Sequence, residues 1–378
     1  MILRHKLYLL LPDWLDRAIR RSVARIKKLR AGGTVVERIH GESDFGEPIK
    51  VLVTGRTTTV DYLLRRLLIG HMEYTERHTL SGGAVGREVR DCADIDLKVI
   101  RGGGRGNRHA SGDWRVPDAV ESIIDLDPAA RDPEIRYGDA DTLRRVRNHK
   151  LSATVSHDRR ELRDFVRNAY VPHIRERFGD LARPHSELTI ARAFKSGGLL
   201  WVERHGVRVA GMVFSTSGHT ISSRIAAPVS DPELVENLHA VSATKKFLLD
   251  YAIEHGYRYL DLGRSRPQLM DGVLRHKKRW GARLLDSPKE QAEFHLSWRA
   301  LTPAIAQWLR TTPLVVRDCG GLAGLTASAE NESPDDCMSR LRRLWSPGLA
   351  RIIVLNHDGQ NPGIDEVFGT PVTWQRAD

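Results

Sequence analysis

The sequence predicts an α/β protein in which mixed β-sheets are flanked by helices. At 378 residues the chain is too long for one small core, so two domains are expected. Its hydrophobic fraction of 40% and charged fraction of 28% are ordinary for a globular protein. Short segments of alternating polarity are interspersed with longer segments of helical period, which is the pattern of an α/β fold.

The first part of the chain, residues 1–121, reads as an N-terminal α/β domain. Strands are predicted over 49–54, 74–80 and 93–100, with a helix over 61–69. The glycine-rich segment 102–107 precedes no helix, so it lacks the context of a phosphate-binding loop. Residues 122–150 read as a connector with a short strand and a basic helix.

Residues 151–285 form the second predicted domain. Its expected elements, in order, are a strand, a helix ended or bent by Pro172, a short helix, a hairpin, a strand, a long helix and a last strand. These elements occupy residues 151–156, 158–178, 186–194, 199–214, 220–227, 230–255 and 257–262. Residues 286–378 are expected to be a C-terminal helical extension, with a helix over 290–301 and a loop-rich end from residue 352.

The formal net charge of +11 favours anionic partners such as phosphorylated small molecules, nucleic acid or an acidic membrane surface. A solvated basic exterior is the alternative. Residues 13–30 are a predicted basic helix, which gives either a solvated surface or a peripheral membrane contact.

Cysteine usage and the N-terminus indicate a cytoplasmic protein. Cys92, Cys319 and Cys337 are odd in number and far apart, so they predict neither a disulfide framework nor a zinc site. The first twelve residues make a poor signal peptide, and we expect no transmembrane segment. The histidines show no paired spacing, so no metal is expected.

The chemistry is concentrated around a strand that ends in glycine. Alternation places Tyr259 and Asp261 on one face of this strand, and Gly263 lets the backbone leave the sheet. Seven cations follow within a short reach: Arg264, Arg266, Arg275, Lys277, Lys278, Arg279 and Arg283. Cations concentrated at the end of a strand predict an anionic ligand that carries phosphate.

Residues 261–267 and 272–282 read DLGRSRP and GVLRHKKRWGA. They resemble the C-terminal signature of the FemAB-like branch of the GNAT acyltransferases, which typically reads DFGRS.P and G.YRFK..WGA. The order of elements in the second domain is similar to the GNAT layout. The resemblance covers residues 122–284 and implies two tandem GNAT-like domains.

The resemblance also implies roles for individual residues. Lys277 and Asp261 are the implied catalytic residues, and the alternatives are a solvated lysine and a structural aspartate. The implied donor- or substrate-binding residues are Arg264, Ser265, Arg266, His276, Arg279 and Trp280. Trp280 is also readable as a core aromatic. In GNAT enzymes the acyl donor lies where two parallel strands separate, here 220–227 and 257–262, and backbone N–H groups polarise its carbonyl.

The sequence departs from the ordinary GNAT pattern at the donor loop, as the FemAB-like branch also does, and from the FemAB-like pattern at His276 and by two extra residues between Pro267 and Gly272. Residues 226–239 contain no glycine, whereas ordinary GNAT enzymes carry a glycine-rich donor loop there. The acyl donor therefore stays open between acyl-CoA and aminoacyl-tRNA. His276 replaces an aromatic residue, and no motif identifies a general base among Glu203, His219, His239 and Asp261.

Three functions remain open from the sequence. The first is transfer of an acyl or aminoacyl group to an amine in cell-envelope or exopolysaccharide precursor synthesis. The second is a catalytically degenerate GNAT scaffold that binds RNA or another polyanion. The third is a membrane-surface accessory protein, which rests only on the basic helix and the region around Trp308.

Overall fold

The computed structural model describes residues 34–43, 46–102, 114–127, 138–179, 184–229, 238–286, 292–329, 331–356 and 359–376. The predicted basic helix at 13–30, most of the glycine-rich segment and the predicted helix start at 230–233 lie outside these residues. The chain divides into two compact units. One comprises the residues up to Arg115 with Ala292–Trp308, and the other Val116–Gln291 with Leu309–Ala377. The four-segment division drawn from the sequence stays a prediction.

The elements before residue 180 are β1 Thr34–Ser43, β2 Pro48–Thr54, α1 Thr58–Leu67, β3 Leu68–Leu80, α2 Gly82–Asp91, β4 Leu97–Gly102, β5 Trp114–Pro117, β6 Val120–Asp125, α3 Ala140–Asn148, β7 Leu151–Ser156, α4 Arg159–Phe165, a π-helical turn Val166–Tyr170 and α5 Val171–Phe178. The later elements are α6 Glu187–Ser196, β8 Gly198–Arg204, β9 Val207–Ser217, β10 Thr220–Pro228, α7 Ala240–Glu254, β11 Tyr259–Ser265, α8 Gly272–Arg279, β12 Arg283–Leu285, β13 Glu293–Trp298, α9 Pro303–Thr311, β14 Leu314–Asp318, β15 Gly321–Ala327, α10 Pro334–Leu344, β16 Arg351–Asn356, β17 Glu366–Val367 and β18 Thr370–Arg376.

The first unit contains a mixed sheet with the strand order β13-β4-β2-β1-β3, in which only β4 and β2 run parallel. Helix α1 begins at Thr57, whose side chain accepts a hydrogen bond from the Val60 N–H. Val60, Leu63 and Leu67 lie three and four residues apart and are buried, so they form the apolar face of this helix.

The helix predicted over 290–301 is wrong, because residues Glu293–Trp298 form strand β13. Phe294 and Leu296 are buried, and His295 between them is less so. This alternation has the period of a strand, and β13 pairs antiparallel with β4 along its whole length. A six-residue alternation is too short to exclude a helix until a pairing partner is known.

The second unit contains a seven-stranded sheet with the order β12-β6-β11-β10-β9-β8-β7. All neighbours are antiparallel except β10 and β11. One face carries a buried cluster that includes Ile124, Ala243, Leu248, Leu260 and Trp280. The other face carries a cluster formed with α4, the π-helical turn and α6. The predicted α/β class and the GNAT-like order of elements are therefore confirmed.

Pro172 does not end the helical segment 159–178. The backbone passes from α4 into the π-helical turn Val166–Tyr170, and Pro172 then stands in the first turn of α5. The Val171 N–H donates to the carbonyl oxygen of Val166, five residues back, so the wider π-helical turn comes directly before Pro172, which has no N–H to donate to that turn.

The C-terminal extension is richer in strands than the sequence indicated. Strands β14, β15, β16, β18 and β17 are neighbours in a sheet in that order, with parallel pairing of β15 with β16 and of β16 with β18. Helix α10 packs on it through Cys337, Leu341 and Leu344. The loop-rich end predicted from residue 352 is thus wrong, since three strands lie there. In the described ranges, no helix is both long and apolar enough to cross a membrane.

Candidate functional site

Strands β10 and β11 separate part of the way along their length. They pair only at Thr220 with Tyr259, Ile221 with Leu260 and Ser222 with Asp261. Beyond this point β10 continues to Pro228 and β11 to Ser265. Two parallel strands that part in this way leave facing backbone edges free of each other, and a ligand can lie between them.

Both strands are irregular where they separate. The register of β10 against β9 shifts between Ser223 and Ile225, and that of β11 against β6 shifts between Asp261 and Arg264. Gly263 has a φ of 75°, in the left-handed region that favours glycine. Its N–H donates to the Asp261 carboxylate at 2.7 Å. Asp261 therefore holds the turn of β11, which is the structural role that the sequence left open.

Lys277 projects from α8 into this irregular part of β11. Its Nζ donates to the carbonyl oxygens of Gly263 at 2.7 Å and Arg264 at 2.9 Å. The side chain is 5% exposed. Burial lowers the pKa of Lys277 to about 7, while Asp261 opposes that change and Lys245 adds to it. The lysine thus fixes the backbone of β11 just after the strands part.

The loop between β11 and α8 is held by Asp271. Its Oδ1 accepts hydrogen bonds from the N–H groups of Val273 at 2.9 Å and Leu274 at 3.1 Å, which caps the start of α8. Arg266 Nη1 lies 3.3 Å from Asp271 Oδ2. Among the predicted ligand-binding residues, Arg266 is therefore tied to the loop itself.

The other predicted residues differ in exposure. Arg264 is exposed at the end of β11, and Ser265 beside it is buried. Within the described residues, the Ser265 hydroxyl has no hydrogen-bond partner. Trp280 is fully buried in the core cluster. A ring without exposed surface offers nothing for a ligand to stack on, so Trp280 is a core aromatic and not a ligand-binding residue.

The starts of α3 and α7 meet beside the end of α8. The N-cap residue of α3, Asp139, accepts a hydrogen bond from Thr142 at 2.5 Å. His239 at the start of α7 lies 3.4 Å from Asp141. Arg279 of α8 lies 3.7 Å from Asp139. Two helix N-termini and a guanidinium meet at this surface and favour negative charge, which the carboxylates of Asp139 and Asp141 supply.

His276 lies next to this surface and is neutral at pH 7. Burial, together with the neighbouring positive charges of Lys245 and Arg279, lowers the pKa of His276 to about 4. Arg279 Nη2 lies 3.2 Å from His276 Nδ1, which suits a neutral ring that accepts there. The ring of His276 also meets Trp280 edge-on, with centroids 6.4 Å apart.

Lys245 of α7 is a residue that the sequence analysis missed. Burial lowers the pKa of Lys245 to about 8, with Arg177 adding to this and Asp139 opposing it. The positive charge of Lys245 also lowers the pKa values of His276 and Lys277, so this lysine lies near both side chains. No local signal identifies it, because a lysine on a helix is ordinarily exposed and only tertiary packing buries this one.

Two of the four general-base candidates lie away from the site. Glu203 is on β8, where it accepts a hydrogen bond from Thr154. The carbonyl oxygen of His219 accepts from the N–H groups of Arg258 and Tyr259, at the opposite end of β11. Asp261 lies on β11 at the last position paired with β10, and His239 lies beside Asp141 at the start of α3. The described residues contain no grouping of His, Cys, Asp and Glu suited to a metal ion.

No protein-family profile matches the chain, and no curated protein matches it. Among solved structures, L-PGS from Bacillus licheniformis is 15% identical over 69% of this chain and 84% of that one, with a TM-score of 0.33. FemX is 16% identical over 71% and 89%, with a TM-score of 0.36. A GCN5-related N-acetyltransferase from Anabaena variabilis ATCC 29413 is 9% identical over 78% and 72%, with a TM-score of 0.25. Scores this low carry no argument about activity, and the topology described above supports the fold by itself.

Proposed function

We propose that this protein is an acyltransferase of the GNAT type that moves an acyl or aminoacyl group to an amine. The observation that carries the proposal is the separation of β10 and β11 after only three paired positions, with Lys277 fixing the backbone at that point. The acyl group of the donor lies between the two strands, and the donor's phosphates lie toward Arg264, Arg279 and the start of α7.

The chemistry needs no covalent intermediate on the protein. The acceptor amine attacks the acyl carbonyl, a C–N bond forms, and the C–S or C–O bond to the donor breaks. The amine proton passes to the leaving group or to water. Backbone N–H groups at the open strand edges stabilise the oxyanion, because they are already oriented before the reaction. Lys277 acts here as a positioning residue, since its ammonium contacts the backbone carbonyls.

The donor class is resolved by parallel binding measurements. Thermal stabilisation by acetyl-CoA, free CoA, aminoacyl-tRNA and UDP-linked cell-envelope precursors is compared at two salt concentrations. A shift specific to CoA compounds supports an acyl-CoA donor. A salt-sensitive shift with charged tRNA, together with acyl transfer, supports an aminoacyl donor. tRNA binding without transfer to any amine would instead support the RNA-binding scaffold.

A matched pair of variants on β11 locates the donor. Arg264 lies at the end where the strands part, and Arg258 is exposed just before the strand begins. Arg264→Gln is expected to weaken donor binding about tenfold, the worth of one charge-assisted contact to phosphate. Arg258→Gln is expected to leave donor binding unchanged. Equal weakening by both variants would show that donor binding depends only on the overall positive charge of the protein.

A further inference from the structure

A cavity of about 580 Å³ opens in the C-terminal part of the second unit. It lies among the end of α9, the segment after β15 and one face of α10. Its lining residues are Arg310, Ala329, Asn331, Glu332, Asp336, Ser339, Arg340 and Arg343. The volume falls within the range of small-molecule sites in proteins, which is roughly 300–1,000 Å³. None of these residues belongs to the acyl-transfer site.

The floor of the cavity is a rigid ion-pair network. Arg340 binds both carboxylate oxygens of Glu332, through Nε and Nη2, each at 2.8 Å. Its Nη1 donates to Thr326 Oγ1 at 3.0 Å, and Arg310 Nη2 lies 3.3 Å from Glu332. Although burial opposes it, the two arginines hold the pKa of Glu332 below its ordinary value. Glu332 is therefore ionised and already neutralised by its partners.

The wall of the cavity is one stripe of α10. Asp336, Ser339 and Arg343 are spaced three and four residues apart, so they share a helix face. Asp336 accepts a hydrogen bond from Ser333 Oγ at 2.7 Å, which commits it to the helix cap. Across the part of the chain that the structure describes, the Arg343 guanidinium has neither an ion pair nor a hydrogen bond. Arg343 is thus the cation that remains available to a ligand.

The lining specifies the chemistry of that ligand. Its three arginines outnumber its two carboxylates, so the cavity favours an anion. Guanidinium groups bind phosphate through two parallel hydrogen bonds. The Asn331 amide and the Ser339 hydroxyl suit the hydroxyl groups of a polar ligand, and none of the eight lining residues is aromatic, so a nucleobase would find no stacking partner.

We infer that this cavity is a second binding site, which takes a small phosphorylated sugar or polyol with its phosphate on Arg343. Arg310 and the rim of the Arg340–Glu332 network complete the positive side of the site. The inference is independent of the acyl-transfer proposal, because the two sites share no residue and each is tested without the other.

Isothermal titration with glucose 1-phosphate, inorganic phosphate and glucose tests this site on the full chain. Glucose 1-phosphate is expected to bind more tightly than inorganic phosphate, and glucose is expected not to bind. Arg343→Gln is expected to weaken glucose 1-phosphate binding about tenfold, through loss of a bidentate contact. Arg342→Gln is the matched control, since Arg342 is exposed on the same helix and does not line the cavity.

Ser339→Glu supplies a second variant, because a carboxylate placed in the cavity repels the phosphate. This change is expected to abolish binding while the urea midpoint stays close to wild type. The inference is overturned if glucose 1-phosphate does not bind, or if Arg342→Gln weakens binding as much as Arg343→Gln does. Equal affinity for inorganic phosphate and glucose 1-phosphate would overturn the assignment to a sugar or polyol.

Discussion

Adjacent lysines on the two sides of helix α8 have different environments. Lys277 is buried against the sheet and donates to the carbonyl oxygens of Gly263 and Arg264. Lys278 is half-buried on the other side, where it donates to the carbonyl oxygen of Trp345 and lies over that ring, 5.2 Å from its centroid. Burial lowers the pKa of Lys277 to about 7 and the pKa of Lys278 to about 8.

The difference lies in what each lysine holds in place. Lys278 caps the last turn of α10, where unpaired carbonyl groups are a property of every helix C-terminus. Lys277 holds the one stretch of β11 where the ladder with β10 has ended. Both lysines thus bind backbone oxygens, but with different results. Lys278 stabilises a helix end, whereas Lys277 fixes the backbone geometry of the candidate site.

The largest expected effect is on turnover. Lys277→Met keeps the length of the side chain and removes both donors, so the backbone of β11 is free to shift where the acyl group lies. Misplacement on the scale of 1 Å costs about 100-fold in rate. Lys278→Met is the matched control and is expected to retain turnover. The comparison is tested by the rate of amine acylation with saturating donor, and unchanged turnover in Lys277→Met would end the assignment of Lys277.

A smaller difference is expected in stability. Lys277→Met removes the side-chain donor to the carbonyl groups of Gly263 and Arg264, which is expected to cost about 2 kcal/mol of unfolding free energy. Lys278→Met is expected to cost about 1 kcal/mol, because water reaches the carbonyl groups at the end of α10. Urea unfolding curves of both variants give these values. A larger loss of unfolding free energy in Lys278→Met would show that the contacts of Lys278 stabilise the protein more than those of Lys277.

The last expected effect is on the pH dependence of stability. The pKa values of Lys277 and Lys278 are lower in the folded chain than the ordinary value of about 10.4. The unfolded chain therefore binds more protons between about pH 7 and pH 10, so stability rises with pH across this window and falls as pH drops through about 7. Lys277→Met is expected to flatten this rise more than Lys278→Met does. Urea midpoints at both ends of the window measure the slopes. If stability in Lys277→Met changes with pH as it does in wild type, burial does not lower the pKa of Lys277.

Much of the second unit was predictable because its signals are local. The hairpin of β8 and β9, the end of α7 at Gly256 and the strand before Gly263 all follow from short sequence patterns. Strand β13 and the strands after residue 350 were missed, since short apolar segments do not reveal their pairing partners.

For the site, the sequence identified Lys277, Arg264 and Arg279 as a cluster of cations, and their uses differ. Lys277 turns inward to backbone carbonyl groups, whereas Arg279 reaches toward Asp139, which is 140 residues away along the chain. Lys245 and the start of α3 joined the site only through tertiary packing. Local sequence patterns do not predict contacts between residues that are distant along the chain.

The sequence by itself determined the order of helices and strands, the glycine at which β11 can turn and the concentration of positive charge beyond it, because periodicity, backbone freedom and charge are properties of neighbouring residues. Only the tertiary structure decided where β10 and β11 part, which lysine of α8 faces the sheet and which arginine of α10 pairs with Glu332. Those outcomes depend on pairing and burial between residues that are distant along the chain, so they arise only when the whole unit packs together.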